Sequence, residues 1–173
     1  MNDPANEHIR PRRSFIFTPG LKPEMFPKAL ASGADMVCIE LEDGVAPKDK
    51  DEARKNGLSL FEEPQAEDGV ERVVRINSMR SAYGIDDLQA ILASKTAPPG
   101  LMLPKVNSPE EVRWMDELLD ESGHACRLHI IIETNAGLEA AFEIAQSSPR
   151  IEALYFGGVD MSAELRYRNA WEP

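Results

Sequence analysis

The chain has 173 residues, enough for one domain with a sizeable core, and its 42% hydrophobic and 28% charged residues are ordinary for a globular protein in water. Thirty acidic residues against 19 basic ones give a net charge of −11, which repels phosphate backbones and argues against a nucleic-acid partner. No apolar run approaches the ~20 residues needed to cross a bilayer. The polar opening MNDPANEHIRPR has no apolar core of a secretory signal, so the chain reads as cytoplasmic and not bound to a membrane.

In chain order, residues 1–12 read as a flexible polar arm and 13–173 as one domain. A short strand over 14–19 ends at Pro19-Gly20. A helix-like stretch over 24–33 follows, with Met25, Phe26, Ala29 and Leu30 on one face. The second strand, 36–42, leads to a charged helix over 49–62 with Ala53, Leu58 and Phe61 turned inward. Strand 72–77 precedes a helix near 85–94, and strand 100–106 a helix over 109–121. That last helix carries the signals of a capping box, with Ser108 as N-cap, Pro109 at its first position and Glu111 three residues on. Strand 127–133 leads to a helix over 136–146, and strand 153–157 to a helical segment over 161–169.

Several strands are continuous apolar runs, as expected where both faces are covered. Six βα units recur at roughly 23–36 residues, and a closed (β/α)8 barrel needs eight. The fold class is therefore α/β of the TIM-barrel type, represented by about six units of an incomplete barrel. A barrel completed by a partner chain and an open six-stranded sheet are the alternatives. The barrel is preferred because nearly every strand runs into a charged residue. In a parallel barrel all these ends converge on one face, where such folds carry out their chemistry.

Those strand-end residues are Glu40, Glu42 and Asp43, then Arg75, Lys105, Glu133 and Asp160. Glu133 and Asp160 end neighbouring strands. Alone they would repel, and a shared Mg²⁺ resolves the conflict, because it is typically held by one or two carboxylates plus water and substrate oxygens. Separate structural ion pairs are the bland alternative. His8, His124 and His129 form no cluster, which speaks against zinc. Cys38 and Cys126, without a C-x-x-C pair, read as buried thiols.

Arg75 suits a fixed cation facing a developing oxyanion, or a structural partner of the acidic run, with Asn77 able to add a hydrogen bond. In E-L-E-D, alternation puts Glu40 and Glu42 on one side, and crowding should raise at least one carboxyl pKa, as a general acid/base needs. Lys105 reads as a supporting cation rather than a Schiff-base lysine. Arg12, Arg13 and Lys22 surround the first strand and could hold phosphates.

Six segments, R-R-S-F-I-F-T-P-G, D-M-V-C-I-E-L-E-D-G-V-A-P-x-x-K-x-x-A-R, V-V-R-I-N, M-L-P-K-V, I-I-I-E-T-x-x-G and F-G-G-V-D, occur in order over residues 12–160. Together they resemble the citrate lyase β-subunit-like (CitE-like) proteins of the HpcH/HpaI aldolase superfamily, to which malyl-CoA lyases are close. The resemblance implies a Mg²⁺-dependent lyase that cleaves or forms a C–C bond in a citryl-, malyl- or citramalyl-CoA-like ester. It implies Glu133 and Asp160 as Mg²⁺ ligands, Arg75 at the substrate carbonyl or enolate, and Asp43, with Glu42, as acid/base. The loop with Arg13, Thr18, Pro19 and Gly20 would lie near the CoA phosphates, and a homo-oligomer, trimer or hexamer, is implied. Glu40 stands where the family usually has Asp, and Val159 where citrate-lyase-like members usually have Glu. A CoA-independent 2-keto acid aldolase and a non-catalytic paralogue or partner subunit are the other readings.

Overall fold

The structure, a computed structural model, describes residues 11–63, 65 and 68–167. Residues 1–10 of the arm expected over 1–12, and the last two residues of the helical segment expected over 161–169, lie outside the described residues.

The apolar runs form six parallel strands: β1 (Phe15–Pro19), β2 (Met36–Glu40), β3 (Glu71–Arg75), β4 (Gly100–Leu103), β5 (Arg127–Ile132) and β6 (Ile151–Phe156). They pair in chain order, β1 to β6, in one sheet. Between them lie α1 (Phe26–Leu30), α2 (Lys50–Ser59), α3 (Ala82–Leu92), α4 (Pro109–Glu121), α5 (Asn135–Glu139) and α6 (Ala141–Ala145), and α7 (Gly158–Glu164) follows β6. Among the described residues no helix is long and apolar enough to cross a membrane.

Strand alternation divides the core in two. The larger cluster, including Val37, Ile39, Val74, Leu101, Leu128 and Ile130, packs with helix residues such as Ala53, Ile91 and Met115. The smaller one, Met36, Cys38, Val73, Met102 and Ile131 with Phe15 and Tyr155 against it, lies on the opposite side of the sheet. Cys38 and Cys126 are both buried free thiols, and burial raises the pKa of each. That suits packing and not reactivity.

The sheet curls round this second cluster. Arg12, just before β1, donates to Glu71 on β3 at 2.6 and 2.9 Å and to Glu152 on β6 at 2.9 Å. The rings of Phe15 and Tyr155, from the two edge strands, stand 6.2 Å apart. A flat sheet would hold its first and sixth strands some five strand spacings apart, about 24 Å. The open-sheet alternative is thereby set aside in favour of six units of the TIM-barrel type. A register shift between Leu128 and His129 places Glu152 as an extra residue on β6, and it joins Arg12 and Arg127.

Three local expectations are corrected. Met25 is 42% exposed, because a separate 3-10 turn over Pro23–Met25 carries it and only Phe26 and Ala29 of that face are buried. Ser108 is the N-cap of α4 but makes no side-chain capping bond; Glu111 instead accepts from the Asn107 N–H at 3.2 Å and from Arg80 at 2.9 Å. The helix expected over 136–146 is broken at Ala140 into α5 and α6.

The Arg12 bridge makes a testable statement about acid stability. Burial pushes the Glu71 carboxyl up, yet the His129 ring nitrogen 3.1 Å away and the hydrogen bonds from Arg12 outweigh it and hold the pKa at about 2, against an ordinary 4.5. As pH falls, the unfolded chain therefore takes up this proton first. The stabilising contribution is complete above about pH 4.5 and is lost towards pH 2. Glu71→Gln is expected to lower stability at neutral pH and to flatten the acid-unfolding curve in that window, followed by circular dichroism. An unchanged acid transition contradicts the bridge.

Candidate active site

Because the strands are parallel, the residues that close them share one end of the sheet. Register sets Pro19, Glu40, Arg75 and Met102 side by side across β1 to β4. Glu42 and Asp43 follow β2, Lys105 follows β4, Glu133 follows β5 and Asp160 lies in the first turn of α7. A cleft of about 450 Å³ opens there, with Asp43, Arg75, Glu133 and Asp160 on its wall beside Phe17 and Phe156. Its size suits a small organic acid, and the apolar lining with a few converging polar groups is typical of a ligand site.

Arg75 is held on three sides. Its Nε donates to Glu40 Oε2 at 2.7 Å, its Nη2 pairs with the same carboxylate and its Nη1 lies 3.3 Å from Glu42 Oε2. The guanidinium also stacks on Phe17, 4.7 Å from the ring centroid. Burial works against its charge, and Glu40 more than compensates, so its pKa rises above the ordinary value. Arg75 is thus paired within the acidic run and also lines the cleft. Within the crowded E-L-E-D run, burial raises the pKa of Glu40.

Lys105 joins the strand ends. It adopts φ of +55°, a left-handed conformation that costs an ordinary side chain about 1–2 kcal/mol. There its N–H donates to Glu133 Oε1 at 2.9 Å while its ammonium turns to the acids. Nζ donates to Glu42 Oε1 and lies 3.3 Å from Asp160 Oδ2 and 3.6 Å from Asp43 Oδ1. Burial alone would lower its pKa, but these carboxylates raise it above the ordinary lysine value.

Glu133 is buried, and burial pushes its carboxyl up to about 7, with the Asp160 charge adding to the rise and Lys105 opposing it. Gly157 makes this possible. A β-carbon there would collide with the Glu133 carboxylate, so only glycine lets the end of β6 pass so close. Two hard oxygen donors, one of them destabilised in its ionised form, fit a small hard dication better than zinc. Among the described residues no group of three or more His, Cys, Asp or Glu side chains forms a protein-only metal cage. Two carboxylates and an open cleft match the Mg²⁺ pattern instead.

Lys50 and Arg54, carried in the K-x-x-A-R part of the second segment, support this site from behind. Lys50 Nζ donates to the carbonyls of Leu41 and Glu42 at 2.8 and 2.6 Å and to Asn77 Oδ1 at 2.6 Å. Asn77 donates twice, at 2.7 Å, to the fully buried Asp87, whose other oxygen accepts from Arg54 Nε at 2.7 Å. This chain pins the turn from which Glu42 and Asp43 project. Burial lowers the Lys50 pKa.

The predicted phosphate loop is not assembled at the cleft. Arg13 precedes β1, at the opposite end of the sheet, where it binds Asp35 through its backbone and guanidinium at 2.8–3.2 Å. Five residues of strand, roughly 16 Å, separate it from Pro19. Thr18 is buried in register with Ile39 on the helix-covered face, and its hydroxyl has no hydrogen-bond partner among the described residues. Gly20 lacks a β-carbon because one would strike Leu41 and the Ala53 carbonyl. Its role is close packing, and only Pro19 stands level with Arg75.

A curled parallel sheet with its acidic and cationic groups gathered at the strand C-termini defines an α/β protein of the TIM-barrel type with its candidate active site on that face. The chain belongs to the HpcH/HpaI aldolase/citrate lyase family, whose model matches residues 13–172. It is 34% identical over 165 residues to an L-malyl-CoA/β-methylmalyl-CoA lyase of Cereibacter sphaeroides, an alignment covering 90% of this chain and 51% of that protein. The chain thus spans about half the length of the curated relatives it matches. Among solved structures it resembles RipC from Yersinia pestis, with TM-score 0.76, 33% identity and coverage of 95% of this chain and 66% of that one. CitE from Mycobacterium tuberculosis, crystallised with magnesium, acetoacetate and coenzyme A, matches with TM-score 0.74 and 32% identity over 94% and 55% of the two chains.

Proposed function

We propose that this chain forms the catalytic face of a Mg²⁺-dependent carbon–carbon lyase acting on a 3-hydroxyacyl-CoA ester of the malyl-, citramalyl- or citryl-CoA type. The observation that carries this reading is the Glu133, Asp160 and Arg75 constellation on one cleft. The malyl-CoA lyase relative and the magnesium and coenzyme A in the CitE crystals support it.

Glu133 and Asp160 would hold the cation. Bound there, Mg²⁺ supplies a Lewis acid and a template for the carboxylate and carbonyl oxygens of the keto acid. The chain's own residues do the rest. Asp43, 60% exposed and facing the cleft with the Lys105 ammonium 3.6 Å away, would take the proton from the 3-hydroxyl oxygen. As the C–C bond breaks, the hydroxyl-bearing carbon becomes the carbonyl of the keto acid. The bonding pair passes to the thioester as an enolate. Arg75, locked by Glu40 and Phe17, is in place to offset the charge on the enolate oxygen without reorganising. The proton held by Asp43 then returns to the α-carbon and releases the acyl-CoA.

The homo-oligomer implied by the family resemblance belongs to the same proposal. The placement of Arg13 away from the cleft favours, as a second reading, a 2-keto acid aldolase that needs no CoA. Turnover of malyl-CoA and citramalyl-CoA with and without EDTA tests the proposal: activity that disappears with the chelator and returns with Mg²⁺ is expected. Activity indifferent to EDTA overturns the cation, and cleavage of free 2-keto acid aldols without any acyl-CoA turnover selects the second reading.

A further inference from the structure

The cation site proposed above already has a cation of its own. The ammonium of Lys105 reaches Glu42, Asp43 and Asp160, while the amide of the same residue holds Glu133. One side chain therefore touches one of the two carboxylates assigned to the divalent ion, and its backbone fixes the other. A dication on Asp160 stands beside that ammonium, and two like charges cannot share one carboxylate oxygen without a cost. The geometry provides an exit. The Lys105 side chain is about one-third exposed, its stem is flexible, and Glu42 and Asp43 both remain as partners once Asp160 is given up.

We propose that Lys105 is a resident counter-cation that exchanges with the divalent ion at Asp160. It holds the acidic site together in the metal-free protein and weakens the affinity of the loaded site. This rests on the assignment of Glu133 and Asp160 as the ligands, and it adds a competitor that sets how tightly the ion is kept. Retaining the ion only weakly suits a template whose remaining ligands come from the substrate. The opposite role, in which the ammonium supports binding by orienting Asp160, predicts the opposite sign when its charge is removed.

The test is Mn²⁺ binding to the metal-stripped chain, followed by the electron paramagnetic resonance signal of the free ion, without reference to turnover. Lys105→Met is expected to bind Mn²⁺ on the order of 2–5-fold tighter than the natural chain, the effect of removing one partly exposed competing ion pair. Lys105→Arg, which keeps the charge, is expected to gain no affinity. Lys105→Gln provides the same neutralisation should the methionine variant fail to melt cooperatively. Adding Glu133→Gln to the neutral variant is expected to abolish the tight binding, which places the ion at this site. Equal or weaker binding by both neutral variants overturns the exchange, as does tight binding that survives Glu133→Gln. Absence of Mn²⁺ binding by every form overturns it together with the cation site. Tighter binding in a chain that cleaves no acyl-CoA leaves the exchange standing and removes the lyase reading.

Discussion

Arg75→Met is expected to lower kcat by about 10²–10³-fold with little change in KM, because in the proposed reaction the guanidinium acts on charge that develops only after the substrate is bound. The substitution also has a structural cost that separates its two roles. Glu40 is 5% exposed and its pKa already sits above the ordinary value through burial, so losing the guanidinium that meets its Oε2 through two nitrogens strands a buried carboxylate. Removing one partner of a buried pair costs about 3 kcal/mol, less whatever Glu40 recovers by taking a proton. The double variant Arg75→Met/Glu40→Gln should regain much of that stability and none of the rate. Arg75→Lys should restore part of the stability, since it keeps the charge but loses the fork that matches Glu40 and the stacking on Phe17. Steady-state kinetics beside thermal melts decide the matter. A variant whose rate recovers along with its melting temperature would reduce Arg75 to a structural ion pair.

Glu133→Gln carries the second large effect, and it moves activity and stability in opposite directions. Losing one of the two proposed protein ligands is expected to abolish Mn²⁺ binding at millimolar concentrations and to reduce turnover by about 10³-fold or more. Stability runs the other way. The folded chain raises the Glu133 pKa from 4.5 to about 7, so it binds this proton more tightly than the unfolded chain does. Stability is fully present below about pH 4.5 and declines as pH rises through 7, where the carboxyl must be ionised while buried. Metal-free Glu133→Gln should therefore melt above the natural chain at pH 8 and level with it near pH 4.5. A metal-free natural chain whose melting temperature shows no decline over this range, relative to the variant, contradicts the buried and charge-crowded setting described for Glu133.

Both predictions turn on residues legible in the sequence, and the reason is geometric. A parallel strand buried on both faces is a run of apolar residues, so a charge at its downstream end is conspicuous, and parallel connection sends every such end to one side. Arg75, Glu133 and Asp160 are found this way. The alternation in E-L-E-D correctly puts Glu40 and Glu42 on the same partner, since both meet Arg75. The strand order follows from the repeated βα spacing, but the curl does not. It is expressed in the bond from Arg12 to Glu152, 140 residues apart, which no periodicity reports.

Arg13 and Lys50 show where sequence reading stops. Arg13 is close in sequence to Pro19-Gly20, and proximity suggested one loop. A strand lies between them and carries them to opposite ends of the sheet. Lys50 looks like one more charge on a solvated helix. Its meaning comes from accepting groups that only folding brings near: two carbonyls at the end of β2 and the side chain of Asn77 beyond β3. Lys105 is similar, for its three carboxylate partners come from the turn after β2 and from the first turn of α7, and its left-handed backbone leaves no mark in the sequence. Asp87 of α3 is fully buried between Asn77 and Arg54, a placement that no spacing in the sequence marks.

The central claim is that Glu133 and Asp160 grip one hard divalent ion, and crystals of the chain soaked in Mn²⁺ examine it without assuming any substrate. Anomalous difference density collected at the manganese edge should show a single peak at the cleft, about 2.0–2.3 Å from a carboxylate oxygen of each residue, with water completing a six-coordinate shell. A peak bound to only one of the two, or manganese found elsewhere while Lys105 keeps its hold on Asp160, would contradict the account.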